Sequence, residues 1–292
     1  DGSYLIFWVE EIWPASRLKF NKIGPNGNVA IGWPPSGNSL SDQSLEANNV
    51  AVKKISDSEG VLAVWNQDGN FSDIYAQKIN WDGDVQWGNY GVAICTADND
   101  QSAISFDIDS DGSFAFISWE DYRNGTDYNI VGKEIDIYSG VINSEDIFFS
   151  SDTTSQQKPL VKSVAPGEFI LIWEDGRGYI NSDPLLINGV DLYGSAYIVG
   201  FGRTTGIDGI PISVEYHDQK KAKMTKYSGN DYLLHWIDLR SSGKEDLANY
   251  YAKTIRRSDI LGAEENGSRT TVPNSFSIES VYPNPFNGNV SF

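Results

Sequence analysis

Trp119-Glu-Asp121-Tyr-Arg123, Trp173-Glu-Asp175-Gly-Arg177 and Trp236-Ile-Asp238-Leu-Arg240 repeat one short pattern at the end of an apolar run. Two further runs end in the same residue, Tyr4-Leu-Ile-Phe-Trp8 and Val61-Leu-Ala-Val-Trp65, so the five tryptophans lie 57, 54, 54 and 63 residues apart. A period of that length marks a supersecondary unit that cannot bury its apolar faces alone and stacks on copies of itself. The runs are apolar at consecutive rather than alternate positions, as strands covered on both faces require.

A second strand follows each polar loop: Asp73-Ile-Tyr-Ala76, Asn129-Ile-Val-Gly132, Asp191-Leu-Tyr-Gly194 and Asn249-Tyr-Tyr-Ala252. Asp or Asn opens each, and the small fourth residue predicts close approach of a neighbouring sheet. A turn and a third strand come next, as in Gly83-Asp-Val85-Gln-Trp87, and a fourth strand such as Ile104–Asp109 leads into the following tryptophan run. Four short strands per unit, no helical period and turns rich in Gly, Asn and Asp predict an all-β fold. The expected architecture is a β-propeller of four-stranded antiparallel blades, about five of them visible, with a short C-terminal tail. A right-handed β-solenoid is the alternative, but its coils are usually shorter than this period and rarely carry such regular hairpin turns.

The blades are expected at about 1–44, 45–98, 99–152, 153–216 and 217–262, with a polar linker over 263–275 and a truncated sorting domain over 276–292. Residue 1 falls in a turn that elsewhere lies inside the repeat. The first blade is therefore expected to lack its opening strand, either completed by a late strand or preceded by further blades.

A content of 40% hydrophobic and 13% aromatic residues allows a sizeable core. The formal charge of −18 and pI near 4.4 argue against nucleic acid and against an anionic membrane surface as partners. Cys95 is the single cysteine, so no intrachain disulfide is expected. With His217 and His235 the only histidines, a zinc site or a histidine-based triad has little to draw on, and no cofactor is expected. No stretch has the length and apolarity of a spanning helix.

The chain resembles a group of surface propeller-like repeats from Bacteroidetes and related bacteria, whose pattern is Trp-Glu-Asp-x-Arg, then Asp-Ile-Tyr-Ala-Gln, then a Gly-x-Val-x-Trp turn. Trp119 to Arg123, Asp73 to Gln77 and Gly83 to Trp87 carry that resemblance over about residues 1–260. It departs in the first two blades, where Glu10/Ile12 and Gln67/Gly69 replace the Asp/Arg positions, and it implies no shared activity. The stretch Tyr282-Pro283-Asn284-Pro285-Phe286-Asn287 resembles the opening of the C-terminal sorting domain of type IX secretion cargo. That resemblance implies an exported or surface-attached protein of a Gram-negative bacterium, with the type IX export machinery as a partner.

In an extended strand Trp119, Asp121 and Arg123 share one face, as do Trp173, Asp175 and Arg177, and Trp236, Asp238 and Arg240. They could form a row of guanidinium groups gripping an anionic sugar, since arginine matches carboxylates bidentately. Repetition in successive blades favours a structural motif that pins the strand end to the next blade. Asp107, Asp109 and Asp111 match half of a calcium loop, yet its twelfth position is Ser118 and the segment continues as a strand.

The repeat breaks between Trp173 and Asp191, which are 18 residues apart where Trp65 and Asp73 are 8 apart. Insertions on a propeller rim commonly hold specificity, which makes Tyr179, Asn181 and Asp183 the candidate ligand contacts. The expected function is a non-enzymatic secreted or surface module that binds a glycan, protein or matrix component. The alternative is a carbohydrate-active hydrolase or lyase using carboxylates at a central channel, which would need two non-repeated carboxylates about 5–10 Å apart.

Overall fold

The structure, a computed structural model, describes residues 2–12, 15–42, 44–142, 145–177, 189–240, 248–256, 259 and 282–283. Strands β1 (Tyr4–Ile12), β2 (Ala15–Ile23) and β3 (Asn38–Ser39) form a three-stranded sheet. Strands β4 (Glu46–Ser56), β5 (Gly60–Asp68), β6 (Ser72–Ile79) and β7 (Val92–Cys95) form the second, in chain order. The third holds β8 (Gln101–Ile108), β9 (Phe114–Asp121), β10 (Asn129–Asp136) and β11 (Ile147–Phe148). The fourth holds β12 (Gln156–Ala165), β13 (Glu168–Asp175) and β14 (Asp191–Ile198), whose outer edge carries β15 (Gly202–Arg203) at one end and β16 (Ile210–Ser213) at the other. The last holds β17 (Gln219–Ser228), β18 (Asp231–Asp238), β19 (Asn249–Ile255) and β20 (Tyr282–Pro283).

The tryptophan strand is the second strand of each sheet in chain order, except in the first, where β1 forms the edge. The chain is all-β, a β-propeller of four-stranded antiparallel blades. The Gly-x-Val-x-Trp segments contribute less than a strand: Val29 and Val85 make single bridges to Ile23 and Ile79. The outer strand is instead the short segment after them, such as β7.

Contacts divide the chain into two compact units, one of residues 1–104, 121–126 and 135–144, the other of 105–120, 127–134 and 145–292. In the first unit, Leu18, Phe20 and Leu40 of the first sheet pack with Ala63, Trp65 and Ile79 of the second. In the other unit, Phe116, Ile130 and Phe149 meet Phe169, Leu171, Trp173 and Tyr197, while Ile172, Leu192 and Ile212 meet Met224, Leu234 and Trp236. Every cluster thus draws one face from each of two successive sheets, and strand β13 is buried at all eight positions because both its faces are covered. β1 differs: Tyr4, Ile6 and Ile12, three of its alternate residues, are exposed.

The small residue in the third strand of each blade has a nearer cause than the one expected. A Cβ on Gly132 would lie 2.6 Å from the ring of Phe116, and one on Gly194 would lie 2.8 Å from Ile172 Cδ1. Both neighbours belong to the adjacent tryptophan strand of the same sheet. In the third and fourth blades, side chains crossing over the sheet face, rather than a neighbouring sheet, require the glycine there.

Candidate functional site

The acid–arginine motif closes on itself within a blade. Asp175 is fully buried and accepts hydrogen bonds from Trp173 Nε1 (2.9 Å), Arg177 N (2.9 Å), Arg177 Nε (2.8 Å) and Arg177 Nη2 (2.6 Å). The guanidinium lies 3.8 Å above the Tyr193 ring and also donates to the Asp208 carbonyl. Asp238 repeats the set with Trp236 and Arg240, whose guanidinium stacks on Tyr251. Asp121 holds Arg123 through the same bidentate pair, at 2.7 and 2.6 Å. In the second blade Gln67 accepts from Trp65 Nε1 in the acid's place.

Contact with the next blade comes from the residue between tryptophan and aspartate. Glu120 Oε1 accepts from Lys158 N (2.8 Å), and Glu174 Oε1 accepts from Lys221 N (2.6 Å). Lys158 and Lys221 have positive φ, as do Asn49 and Ala103 at the matching place in β4 and β8. In β12 and β17 the pairing register slips there. The bulge turns one N–H of the edge strand out of its ladder, and the preceding blade's glutamate receives it.

A second fastener lies at the blade junctions. The side chains of Asp100, Ser155 and Asp218 accept from the N–H groups of Ser72, Tyr128 and Val190, which open or immediately precede the third strand of the blade before. Their carbonyls accept from Tyr122, Gly176 and Leu239. The next residue in each copy is a fully buried glutamine, Gln101, Gln156 or Gln219, which donates to a carbonyl two residues back.

Asp107, Asp109 and Asp111 fall into the same class. Asp107 Oδ2 accepts from Ser163 N (3.0 Å), Asp109 Oδ2 from Gly167 N (2.9 Å), and Asp111 Oδ1 from Ser113 N (3.1 Å). With Ser105 Oγ receiving Val161 N, alternate side chains of β8 and its turn satisfy N–H groups of β12 and of the turn that follows it. The three carboxylates are thus engaged with backbone, and no group of three or more metal-ligating residues occurs among the described residues. Tyr179, Asn181 and Asp183 lie outside the described residues, as do Asn284, Pro285, Phe286 and Asn287. Tyr282 and Pro283 pair through their backbone with Ala252 and Tyr251, as the outer strand of the last sheet.

One carboxyl departs from the repeat in its chemistry. Asp191 opens β14 directly opposite Asp175 in the ladder, whereas Asp73 faces Gln67 and Asn249 faces Asp238. Burial pushes the Asp191 carboxyl up to about 7; the Glu215 N–H and Arg177 pull it down, while Asp175 and Asp218 push it further up. Asp218, which bonds Val190 N, is ion-paired with Lys220 at 2.8 Å. Asp191 thus stays neutral at a pH where an ordinary carboxyl is charged. Sequence reading passed over it because Asp or Asn fills this place in each quoted copy; its burial and its cross-strand partner distinguish it.

Because the folded-state pKa lies above the ordinary 3.8, the folded protein binds the extra proton between about pH 4 and 7. The resulting stability is full below pH 4 and is lost as pH rises to 7, by up to about 4 kcal/mol. Asp191→Asn keeps the neutral shape without the titration. Urea denaturation at pH 5 and pH 8 is expected to show the variant gaining on the parent at the higher pH. Equal pH slopes in the two proteins would refute the shift.

No family model matches the chain, and no curated protein matches it. Solved structures do. An endo-arabinase from Bacteroides thetaiotaomicron is 10% identical with a TM-score of 0.43, over 89% of this chain and 91% of its own. An endo-arabinanase from Bacillus licheniformis is 12% identical with a TM-score of 0.40, over 87% and 90%. An α-L-arabinofuranosidase from Fusarium graminearum is 11% identical with a TM-score of 0.48, over 86% and 77%. The likeness is one of fold. The expectation of a non-enzymatic binding or adhesion module is corrected here: the three structures named above are described as enzymes.

Proposed function

We propose that the chain is a carbohydrate-active hydrolase in which Asp191 protonates the departing glycosidic oxygen. One observation carries this reading: blade four alone sets two aspartates opposite each other, Asp175 held by Arg177 and Asp191 neutral up to about pH 7. Two carboxyls whose surroundings drive their protonation apart are what general-acid cleavage needs at neutral pH. Asn129 and Asn249 fill the same place elsewhere in the repeat, so a neutral amide would serve the fold there. As the anomeric C–O bond breaks, oxygen takes the Asp191 proton, and water adds to the anomeric carbon while a carboxylate accepts its proton. Asp218, beside Lys220, is our candidate for that base. Tyr179, Asn181 and Asp183, in the insertion that ends just before Asp191, are our candidates for holding the sugar.

The Tyr282 to Asn287 stretch supports export by the type IX machinery to the outer surface of a Gram-negative cell, where polysaccharide is met. The strong acidity supports a partner other than nucleic acid.

Reducing-sugar release from arabinan, xylan and related polymers tests the proposal. Asp191→Asn is expected to lower kcat about 100-fold or more without lowering the melting temperature at pH 7. Activity of the parent should fall as pH rises past about 7. Unchanged kcat in Asp191→Asn would assign the carboxyl to the scaffold and overturn the reading.

A further inference from the structure

We propose that a cleft between the first two sheets binds acidic oligosaccharides, chains that carry uronate groups; this rests on the carbohydrate-active reading and adds to it a binding site of its own. The cleft holds about 460 Å³ and is lined by Tyr4, Lys22, Lys54, Asp57 and Trp81. That volume lies within the range of small-molecule sites, ~300–1,000 Å³.

Its walls offer two aromatic rings and two ammonium groups. Trp81 is held by its indole N–H, which donates to the Ser56 carbonyl at 3.2 Å. Lys22 Nζ donates to the Trp81 carbonyl at 3.1 Å, which fixes one ammonium at the cleft wall. Tyr4 presents its ring largely to solvent, 68% exposed. A sugar ring stacks its C–H face on such surfaces while its hydroxyls reach the polar rim.

Charge selects the acidic class. The chain as a whole carries −18, yet among the described residues the cleft lining sets Lys22 and Lys54 against the carboxylate of Asp57. A local positive site on an acidic protein attracts an anionic ligand and repels little of it at short range. Lys54 is ion-paired with Asp57, but both side chains are well exposed, 53% and 96%, and such a pair is weak. A uronate can therefore take the Lys54 ammonium and leave Asp57 to accept sugar hydroxyls. A neutral sugar would gain hydroxyl hydrogen bonds from the lysines but no charge–charge attraction.

Calorimetric titration of the full chain with trigalacturonate and with arabinotriose tests the cleft. Trigalacturonate is expected to bind at least 10-fold more tightly, and to lose that margin in 0.5 M salt. Lys54→Met should weaken trigalacturonate alone by about 5-fold or more, Lys54→Arg should restore it, and Tyr4→Ala should weaken both sugars. Both positions are exposed, so folding is expected to be kept. Equal affinity for the two sugars, or indifference of trigalacturonate to Lys54→Met and Tyr4→Ala, overturns the proposal. Assaying the parent for hydrolysis alongside the titration separates the two readings: cleft binding without any hydrolysis by the parent sinks the hydrolase and leaves the cleft standing. Hydrolysis with no uronate preference does the reverse.

Discussion

Asp175→Ala is expected to cost about 3 kcal/mol of stability, seen as a lowered denaturation midpoint with an unchanged slope. The carboxylate is fully buried and accepts four hydrogen bonds, three of them from Arg177 and one from Trp173 Nε1. Alanine leaves the indole N–H buried without a partner, which alone costs ~1–3 kcal/mol. It also strips the guanidinium of its counter-ion. Breaking a buried pair by removing one partner costs ~3–5 kcal/mol, and the low end applies here because the Arg177 side chain keeps 23% of its exposure and regains some water. Arg177 also stays over Tyr193, which limits its freedom to turn outward. The double substitution Asp175→Ala with Arg177→Met should therefore cost less than the sum of the two singles, by ~0.5–3 kcal/mol. The rival reading of these arginines as a sugar grip makes the opposite forecast. It requires Asp175→Ala to keep its midpoint while ligand affinity falls.

How far the sequence discloses this fold depends on which interactions are local. Trp, Asp and Arg at i, i+2 and i+4 close on one another within a strand end, so their spacing displays them. The glutamate between them cannot be read that way. Glu120 and Glu174 bond a backbone N–H that lies 38 and 47 residues downstream, and only because β12 and β17 bulge there. A bulge with positive φ at Lys158 or Lys221 has no composition signal, since neither is glycine. The same holds for Gln101, Gln156 and Gln219, polar residues that look like surface until the chain folds over them. Asp107 and Asp109 resemble a metal loop in sequence because aspartates at alternate positions are what a strand needs to satisfy a neighbouring edge as well as what a cation needs. Asp191 was hidden for another reason. Its protonation is set first by burial that no single-residue property encodes, and further by Asp175, 16 residues earlier in the chain and opposite it in the ladder.

Gly91→Ala is expected to be at least as damaging as loss of Asp175, with a cost of about 3–5 kcal/mol. Two independent effects act on the one methyl group. Gly91 has a φ of +81°, where an L-residue pays ~1–2 kcal/mol against the Cβ–carbonyl clash. The added Cβ would also stand 2.4 Å from the Ala76 carbonyl oxygen and 2.8 Å from Trp65 Cη2. Neither neighbour can yield easily. Ala76 is in the middle of β6 and paired on both sides, and Trp65 is fully buried among Leu18, Phe20 and Leu40. Forcing extra volume into a packed core costs ~1–3 kcal/mol and occasionally more. Gly209 holds the same relation to Trp173, with a φ of +63° and a Cβ position 2.4 Å from Trp173 Cη2. In the second and fourth blades the long indole thus fits because a glycine stands just before the outer strand. Gly209→Ala should match Gly91→Ala within about 1 kcal/mol, whereas Gly27→Ala tests the backbone effect by itself. Gly27 also has positive φ, +80°, but a Cβ there meets nothing within 4 Å, so its cost should stay near ~1–2 kcal/mol. If Gly27→Ala and Gly91→Ala proved equally costly, the tryptophan would have room to spare and the blade would not depend on that contact.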